Sequence, residues 1–216
     1  MMRPTLASRT LAASVSTIAL ALALAACGGS TTSSSPSAAG SSHHMSSHHM
    51  AGHSHPMSES MVFGSDCGMV PATGMGSIHG MRMESVVTAA AHNPLLTTLA
   101  ADIKTAGLTA ELTSMRAFTL FAPANDAFRK LSASEMTMMH SATELAKILK
   151  YHIVAGHVTT AELASGKSLS TLEGSALRPS KMGSVYEVNN ADVICGNIQT
   201  ANATVFIINK VLTPMH

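Results

Sequence analysis

Residues 28–60 constrain the fold most, because they read GGSTTSSSPSAAGSSHHMSSHHMAGHSHPMSES and offer a core almost nothing to bury. Its first part, Gly28 to Ser42, reads as a flexible polar tether, so whatever folds must be built from the residues that follow the linker. Of the 216 residues, only 12% are charged and 3% aromatic, with no Trp. Small aliphatic side chains still suffice to close-pack one domain of about 130 residues.

What precedes the tether is an address. Arg3 and Arg9 lead into the uncharged run Leu11 to Ala26, the length of a signal-peptide apolar region and short for a bilayer span. The run ends in Leu24-Ala25-Ala26-Cys27-Gly28-Gly29, which resembles the bacterial lipobox, with cleavage before Cys27 and a diacylglyceryl group on its sulfur. A general secretory signal with an incidental cysteine is the alternative. The expected organisation is a lipoprotein signal peptide at 1–26 and a lipidated Cys27 opening a disordered linker at 27–62. An extension at 63–82 and a folded domain at 83–216 follow. The thirteen basic residues less Arg3 and Arg9 leave eleven against twelve acidic, a balance of −1 with no basic footprint for nucleic acid. The expected location is the cell envelope, on the outer side of the cytoplasmic membrane or at the cell surface, with a released form beside the anchored one. The lipid makes the membrane one partner.

Two cysteines remain, Cys67 and Cys195. Outside the cytosol an even remainder reads most simply as one disulfide. A thiolate metal site is the alternative, without C-x-x-C spacing and with only distant His79 as a nearby ligand.

The linker repeats one phrase, SSHHM at 41–45 and again at 46–50, and continues AGHSHPM. A cloning tag is an unbroken terminal histidine run, and a plain spacer has no use for oxidisable methionine. Thioether sulfur suits Cu(I) and imidazole suits Cu(II), so His43, His44, Met45, His48, His49, Met50, His53, His55 and Met57 form a candidate copper segment, extending through Met61. Compositional drift in a disordered linker is the competing reading. No cofactor is required by any motif.

From Met83 the texture changes to that of a folded domain. Glu84 to His92 is helix-like, and Asn93-Pro94 reads as an N-cap with proline in the first turn of a helix carrying Leu95, Leu96, Leu99 and Ile103 inward. Three capping boxes, Ser132 to Glu135, Ser141 to Glu144 and Thr159 to Glu162, each predict a helix start. Strands are predicted at Phe118 to Ala122, Tyr151 to Val154, Leu169 to Leu172, Val185 to Val188, Asp192 to Cys195 and Thr204 to Leu212. Helices early and strands late indicate one α+β domain.

Three of these segments carry a resemblance. FTLFAPANDAFRKL (Phe118 to Leu131), LKYHIVAG (Leu149 to Gly156) and TANATVFIINKVLTP (Thr200 to Pro214) resemble, in order and spacing, the signature segments of fasciclin-like domains. HNPLLTTL (His92 to Leu99) and ADVICGN (Ala191 to Asn197) further resemble the small secreted or lipid-anchored fasciclin antigens of mycobacteria. The resemblance implies a wedge of β-strands with packed helices, a role in adhesion or protein recognition through an unknown surface protein or host receptor, and no catalytic activity. It also implies partner contact through the pair Tyr151 and His152. The residues themselves favour a structural pair at the start of a core strand.

Enzyme signatures are missing from the sequence. Gly166-Lys167-Ser168 is no phosphate loop, because Ala161 stands where the motif needs glycine. Asp126 and Asp192 are explained by capping and turn roles, and no G-x-S-x-G or H-E-x-x-H occurs.

Overall fold

The computed structural model describes residues 61–214. The signal peptide, Cys27 and the nine copper-segment residues from His43 to Met57 lie outside the described residues.

The described elements are α1 (Ile78–Met81), α2 (Val86–His92), α3 (Thr97–Thr105), α4 (Thr109–Ser114), β1 (Phe118–Pro123), α5 (Asn125–Phe128), α6 (Ala133–Met139) and α7 (Ala142–Tyr151). After them come β2 (Ile153–Ala155), α8 (Thr160–Ser165), β3 (Leu169–Ser170), β4 (Ala176–Leu177), β5 (Pro179–Met182), β6 (Val185–Val188), β7 (Ala191–Gln199) and β8 (Ala203–Ile208). Six strands form one sheet in the order β2-β1-β8-β7-β6-β5, and β3 and β4 form a separate pair.

Only β1 and β8 run parallel, with Phe118 opposite Ala203 and Pro123 opposite Ile208. Both are buried along their whole length. Their apolar runs therefore belong to a sheet covered on both faces, as continuous rather than alternating hydrophobicity predicts. On one face Phe118, Leu120, Ala122, Val205 and Ile207 meet Leu99, Ile103, Leu145 and Leu149 of the helices. On the other, Phe121, Phe206 and Ile208 meet Tyr151, Leu163, Leu177 and Leu212.

Two of the three capping boxes form in full, at Ser132 with Glu135 and at Thr159 with Glu162. At Ser141 the helix begins where expected but the box does not close, because Glu144 instead pairs with Lys147 at 2.8 Å. Asn93 does not cap a helix at Pro94. Its Oδ1 accepts from the Leu95 N–H in a local turn, and α3 starts at Thr97. The α3 N-terminus is capped from a distance by Asn125, whose Oδ1 accepts from the Thr98 N–H at 3.0 Å while its Nδ2 donates to the Pro94 carbonyl at 2.8 Å. Asn125 is also the first residue of α5. Its side chain is committed to α3, and α5 has no side-chain cap.

The 63–82 extension packs into the domain. Val70 and Met81 lie in the core with the helices. Phe63 bridges Gly196 through two backbone hydrogen bonds, and the Asp66 N–H donates to the Ile194 carbonyl. Cys67 is bonded to Cys195 of β7, 128 residues away. Asn202 joins the same end of the fold. Its Oδ1 accepts from the Val86 N–H, and its Nδ2 donates to the carbonyls of Leu112 and Met115, so its glycosylation-like spelling marks a structural amide.

One buried oxygen among the described side chains, Oδ2 of Asp102 on α3, has no hydrogen-bond partner. Burial pushes this carboxyl up to about 6 from 3.8. A raised folded value means the folded state keeps its proton longer, so the favourable contribution is full below pH 3.8 and lost as pH rises through 6. Asp102→Asn is therefore expected to stabilise the domain at pH 7 by about 1–2 kcal/mol, after discounting for partial contact with water, and to have little effect at pH 4. Urea unfolding at the two pH values checks this, and equal effects at both would refute it.

Candidate functional site

Tyr151 and His152 are not at the start of a strand. Tyr151 is the last residue of α7, His152 caps it, and the strand begins at Ile153. Both side chains are inside, at 2% and 0% exposure, so neither offers a surface for a partner. His152 Nδ1–H donates to the Ile148 carbonyl at 2.8 Å, which fixes the tautomer, and Nε2 accepts from the Leu212 N–H at 2.9 Å. Its own carbonyl accepts from the Phe121 N–H. One imidazole thus ties α7, β1 and the C-terminal segment together, and burial holds it neutral by lowering its pKa to about 4.

The Tyr151 hydroxyl accepts from Asn189 Nδ2 at 2.7 Å and donates to the Ala176 carbonyl. Asn189 and Asn190 take positive φ in the tight turn between β6 and β7, so Tyr151 anchors that hairpin. Burial raises the phenol above its usual value, partly offset by the Asn189 hydrogen bond. The pair is a structural clamp, and the reading that the resemblance implied for it is corrected by its depth in the core.

Half-buried aromatic and exposed apolar side chains gather elsewhere. Four of the seven aromatic residues form a line from the core outward: Phe121 stacks on Phe206 at 5.6 Å, Phe206 meets Phe63 at 6.3 Å, and Phe63 meets Tyr186 at 4.8 Å. The ammonium of Lys181 sits 4.9 Å from the Tyr186 ring centre at the outer end. The line opens into a groove of about 840 Å³ lined by Met61, Phe63, Lys181, Val185, Tyr186 and Asp192, among others. Met61 and Val185 are exposed, at 70% and 42%.

Two glycines make this groove possible. A Cβ on Gly196 would lie 2.6 Å from the Phe63 ring and 2.8 Å from Phe206, so a side chain there would collide with both rings. Gly64, at φ +128°, crosses the Ile194 carbonyl where no side chain fits. The disulfide lies beside this crossing and holds the extension against the strand.

None of Phe63, Lys181 or Tyr186 stands out in the sequence, since no local motif joins them. The one available signal is the scarcity of aromatics, which makes an aromatic in the extension and another on an edge hairpin worth pairing.

Asp126 pairs with Arg129 on the surface and caps no helix, and Asp192, within β7, accepts from Asn209 Nδ2 at 2.5 Å, so side-chain pairs stand in place of the capping and turn roles expected of them. Among the described residues, no group of three or more His, Cys, Asp and Glu is placed to hold a metal ion. No helix among them is long and apolar enough to cross a membrane.

The parallel pairing of the two signature strands inside a mixed sheet, flanked by helices, agrees with comparison to known proteins. Residues 94–214 match the model of the fasciclin domain, and the chain belongs to that family. Immunogenic protein MPB70 of Mycobacterium bovis is 38% identical over 170 residues, covering 74% of this chain and 86% of that protein. Cell surface glycolipoprotein MPB83 of Mycobacterium bovis is 37% identical over 152 residues, covering 66% of each. Among solved structures, a fasciclin domain pair from the insect cell adhesion molecule fasciclin I superposes with a TM-score of 0.53 at 17% identity. It covers 62% of this chain and 52% of that one, a likeness of fold.

Proposed function

We propose that this protein is a surface recognition or adhesion module, held at the cell envelope by a lipid on Cys27, that engages its partner through the groove at Phe63, Lys181 and Tyr186. The observation that carries this reading is the aromatic line, which brings an amphipathic ring and a cation to the mouth of a partly apolar groove. Aromatic and methionine side chains are enriched at the core of protein-binding surfaces. Kinship with a protein named a cell surface glycolipoprotein supports both the location and the anchor.

The test is a deletion strain complemented with the full-length protein or with its Tyr186→Ala/Lys181→Glu variant, scored for cell aggregation and surface attachment. The variant is expected to lose at least tenfold in attachment at unchanged protein abundance and thermal midpoint. Attachment equal to that of the unaltered protein would remove the groove from the account.

A second reading, envelope copper capture or buffering, is favoured by the nine histidine and methionine donors between His43 and Met57. Donors of both kinds on one string accommodate Cu(I) and Cu(II) by changing which side chains bind. The mature protein is expected to take up several Cu(I) ions against a competing chelator, and a form lacking 43–57 to lose most of that uptake. Equal uptake by both would reduce the repeated phrase to a spacer. The two readings are compatible, since the domain can dock while the linker handles metal.

A further inference from the structure

Seven large apolar side chains are exposed among the described residues, and six of them are methionines: Met61, Met69, Met75, Met83, Met136 and Met182. Every leucine from Leu95 to Leu212 is buried or half-buried. Isolated exposed apolar residues need no explanation in general. A surface on which nearly all of them carry a thioether is different, because a chain that merely tolerated exposed hydrophobics would leave leucine and isoleucine outside as well. Sulfur, rather than apolarity, is what these positions have in common.

Four of the six fall between residues 61 and 83, while Met81 in the same stretch is 1% exposed. The fold thus separates one packing methionine from its exposed neighbours. Within this stretch Met75 lies in the turn before α1, His79 within α1, and Met83 in the turn after it, and hydrogen bonds tie the three parts together. The Ser77 N–H donates to the Gly74 carbonyl, Met81 to Ser77, and Met83 to Gly80. The Ser77 side chain accepts from the Gly80 N–H at 3.0 Å and donates to the Gly74 carbonyl at 2.6 Å.

The chain on either side of His79 is drawn in close. A Cβ on Gly80 would sit 2.7 Å from the Met75 Cα, so the backbone of Met75 lies directly against the residue after His79. His79 and Met83, four apart across the end of α1, are neighbours on its surface, and the approach of Met75 to Gly80 brings a second unbranched thioether to the same end.

All three side chains face solvent: Met75 is 57% exposed, Met83 81%, and His79 is in the exposed class. The His79 ring has no hydrogen-bond or ion-pair partner among the described residues. The platform beneath is rigid, with Ser77 at 3% and Asn93 at 0% exposure, and Asn93 Nδ2 donating to the Gly76 carbonyl. Two neutral sulfurs and one neutral nitrogen form a soft donor set that selects Cu(I) over hard divalent cations.

We propose that the folded domain carries a Cu(I) site of its own, formed by the sulfurs of Met75 and Met83 and the imidazole of His79. It rests on the same soft-metal reading as the linker but uses different residues, so each can fail alone. With the linker donors nearby in sequence, this site would act as a fixed acceptor or docking point for ions taken up by the string.

The experiment is a Cu(I) titration under ascorbate and without oxygen, against a chromogenic chelator. It compares the full mature protein with a form lacking 43–57, with Met75→Leu/His79→Gln/Met83→Leu, and with Met136→Leu. These surface substitutions conserve volume, and circular dichroism checks folding. The triple variant is expected to bind one ion fewer than the unaltered protein, and the shortened form to keep one ion. X-ray absorption of that retained ion should show two sulfur neighbours and one nitrogen.

If the triple variant keeps the full count, the domain site is wrong, whatever the linker does. If the shortened form binds all the ions that the unaltered protein binds, while the triple variant loses one, the domain site stands and the linker reading fails. Loss of one ion in Met136→Leu as well would mean indiscriminate thioether uptake and would overturn the site.

Discussion

Replacing Cys67 and Cys195 together by alanine is expected to lower the unfolding free energy by about 5 kcal/mol. The bond closes a span of 128 residues. On the chain-entropy estimate, losing a crosslink over a loop of that length costs about 5 kcal/mol through the greater freedom of the unfolded chain. Alanine is the appropriate replacement, since Cys195 is fully buried and a serine hydroxyl there would add an unsatisfied polar group.

The loss should also have an address within the fold. Without the bond, the start of the described chain is held by the Phe63 and Gly196 backbone pair, by Asp66 on Ile194 and by the Phe63 ring on Tyr186. Amide exchange should therefore rise first at Phe63, Asp66 and Gly196, before the β1 and β8 amides respond. Urea midpoints with residue-resolved exchange test both parts. A loss below about 1 kcal/mol, or uniform exchange across the sheet, would show that the extension is secured by its packing alone.

The groove depends on this extension, so the same variant should weaken any partner contact made there. Phe63 supplies one wall of it and stays in place only while the extension lies along β7. On the proposed reading the crosslink serves the groove as well as stability, and an oxidising environment then bears on recognition as it does on folding.

Much of this was legible in the sequence, for reasons that differ by residue. The two apolar runs at Phe118 and Val205 announce strands covered on both faces because burial on both sides removes any reason to alternate. Capping boxes announce the starts of α6 and α8 because both partners lie within one turn. The parity of the two remaining cysteines suffices for their bond.

What failed did so where a distant group outbid a local one. Asn93 and Asn125 are each plausible local caps. Only the folded chain shows that Asn125 reaches 27 residues back to Thr98. Tyr151 and His152 were placed in a strand because Ile153 and Val154 follow, whereas α7 extends through Tyr151 because its aromatic face completes the second core cluster. Two short strands, β4 and β5, escaped notice. Ala176 and Leu177 pair with Ser170 and Leu169, and Ser180 and Lys181 pair with Glu187 and Tyr186, so neither strand has a periodicity of its own to read. The groove at Phe63 and Tyr186 is legible only after folding, since its walls are more than a hundred residues apart in sequence.

His152→Ala is expected to cost about 3–5 kcal/mol. The imidazole is fully buried and makes both of its ring hydrogen bonds, so truncation opens a cavity and leaves the Leu212 N–H without its acceptor. The C-terminal segment, held to α7 through that bond, should be the first part to loosen. The same histidine sets a pH dependence whose sign follows from its lowered value of about 4. The unfolded chain takes up a proton near pH 6.5 and the folded one does not, so the favourable contribution is full above 6.5 and is lost as pH falls towards 4. Over that window the loss approaches about 3 kcal/mol. Asp102 works in the opposite direction between pH 3.8 and 6, because its raised value stabilises the fold as pH falls. The two slopes oppose each other through most of the acid range, which flattens the stability profile of the unaltered protein. Asp102→Asn should unmask the histidine and give a steeper decline from pH 6.5 to 4.5, and adding His152→Ala should remove that decline at the expense of overall stability. The capping glutamates Glu135 and Glu162, whose values are lowered by the hydrogen bonds they accept from Ser132 and Thr159, add a loss only at lower pH, below 4.5. A pH series of urea midpoints on the three proteins separates these contributions, and a profile for Asp102→Asn that ran parallel to that of the unaltered protein would mean that the buried carboxyl does not titrate in this range.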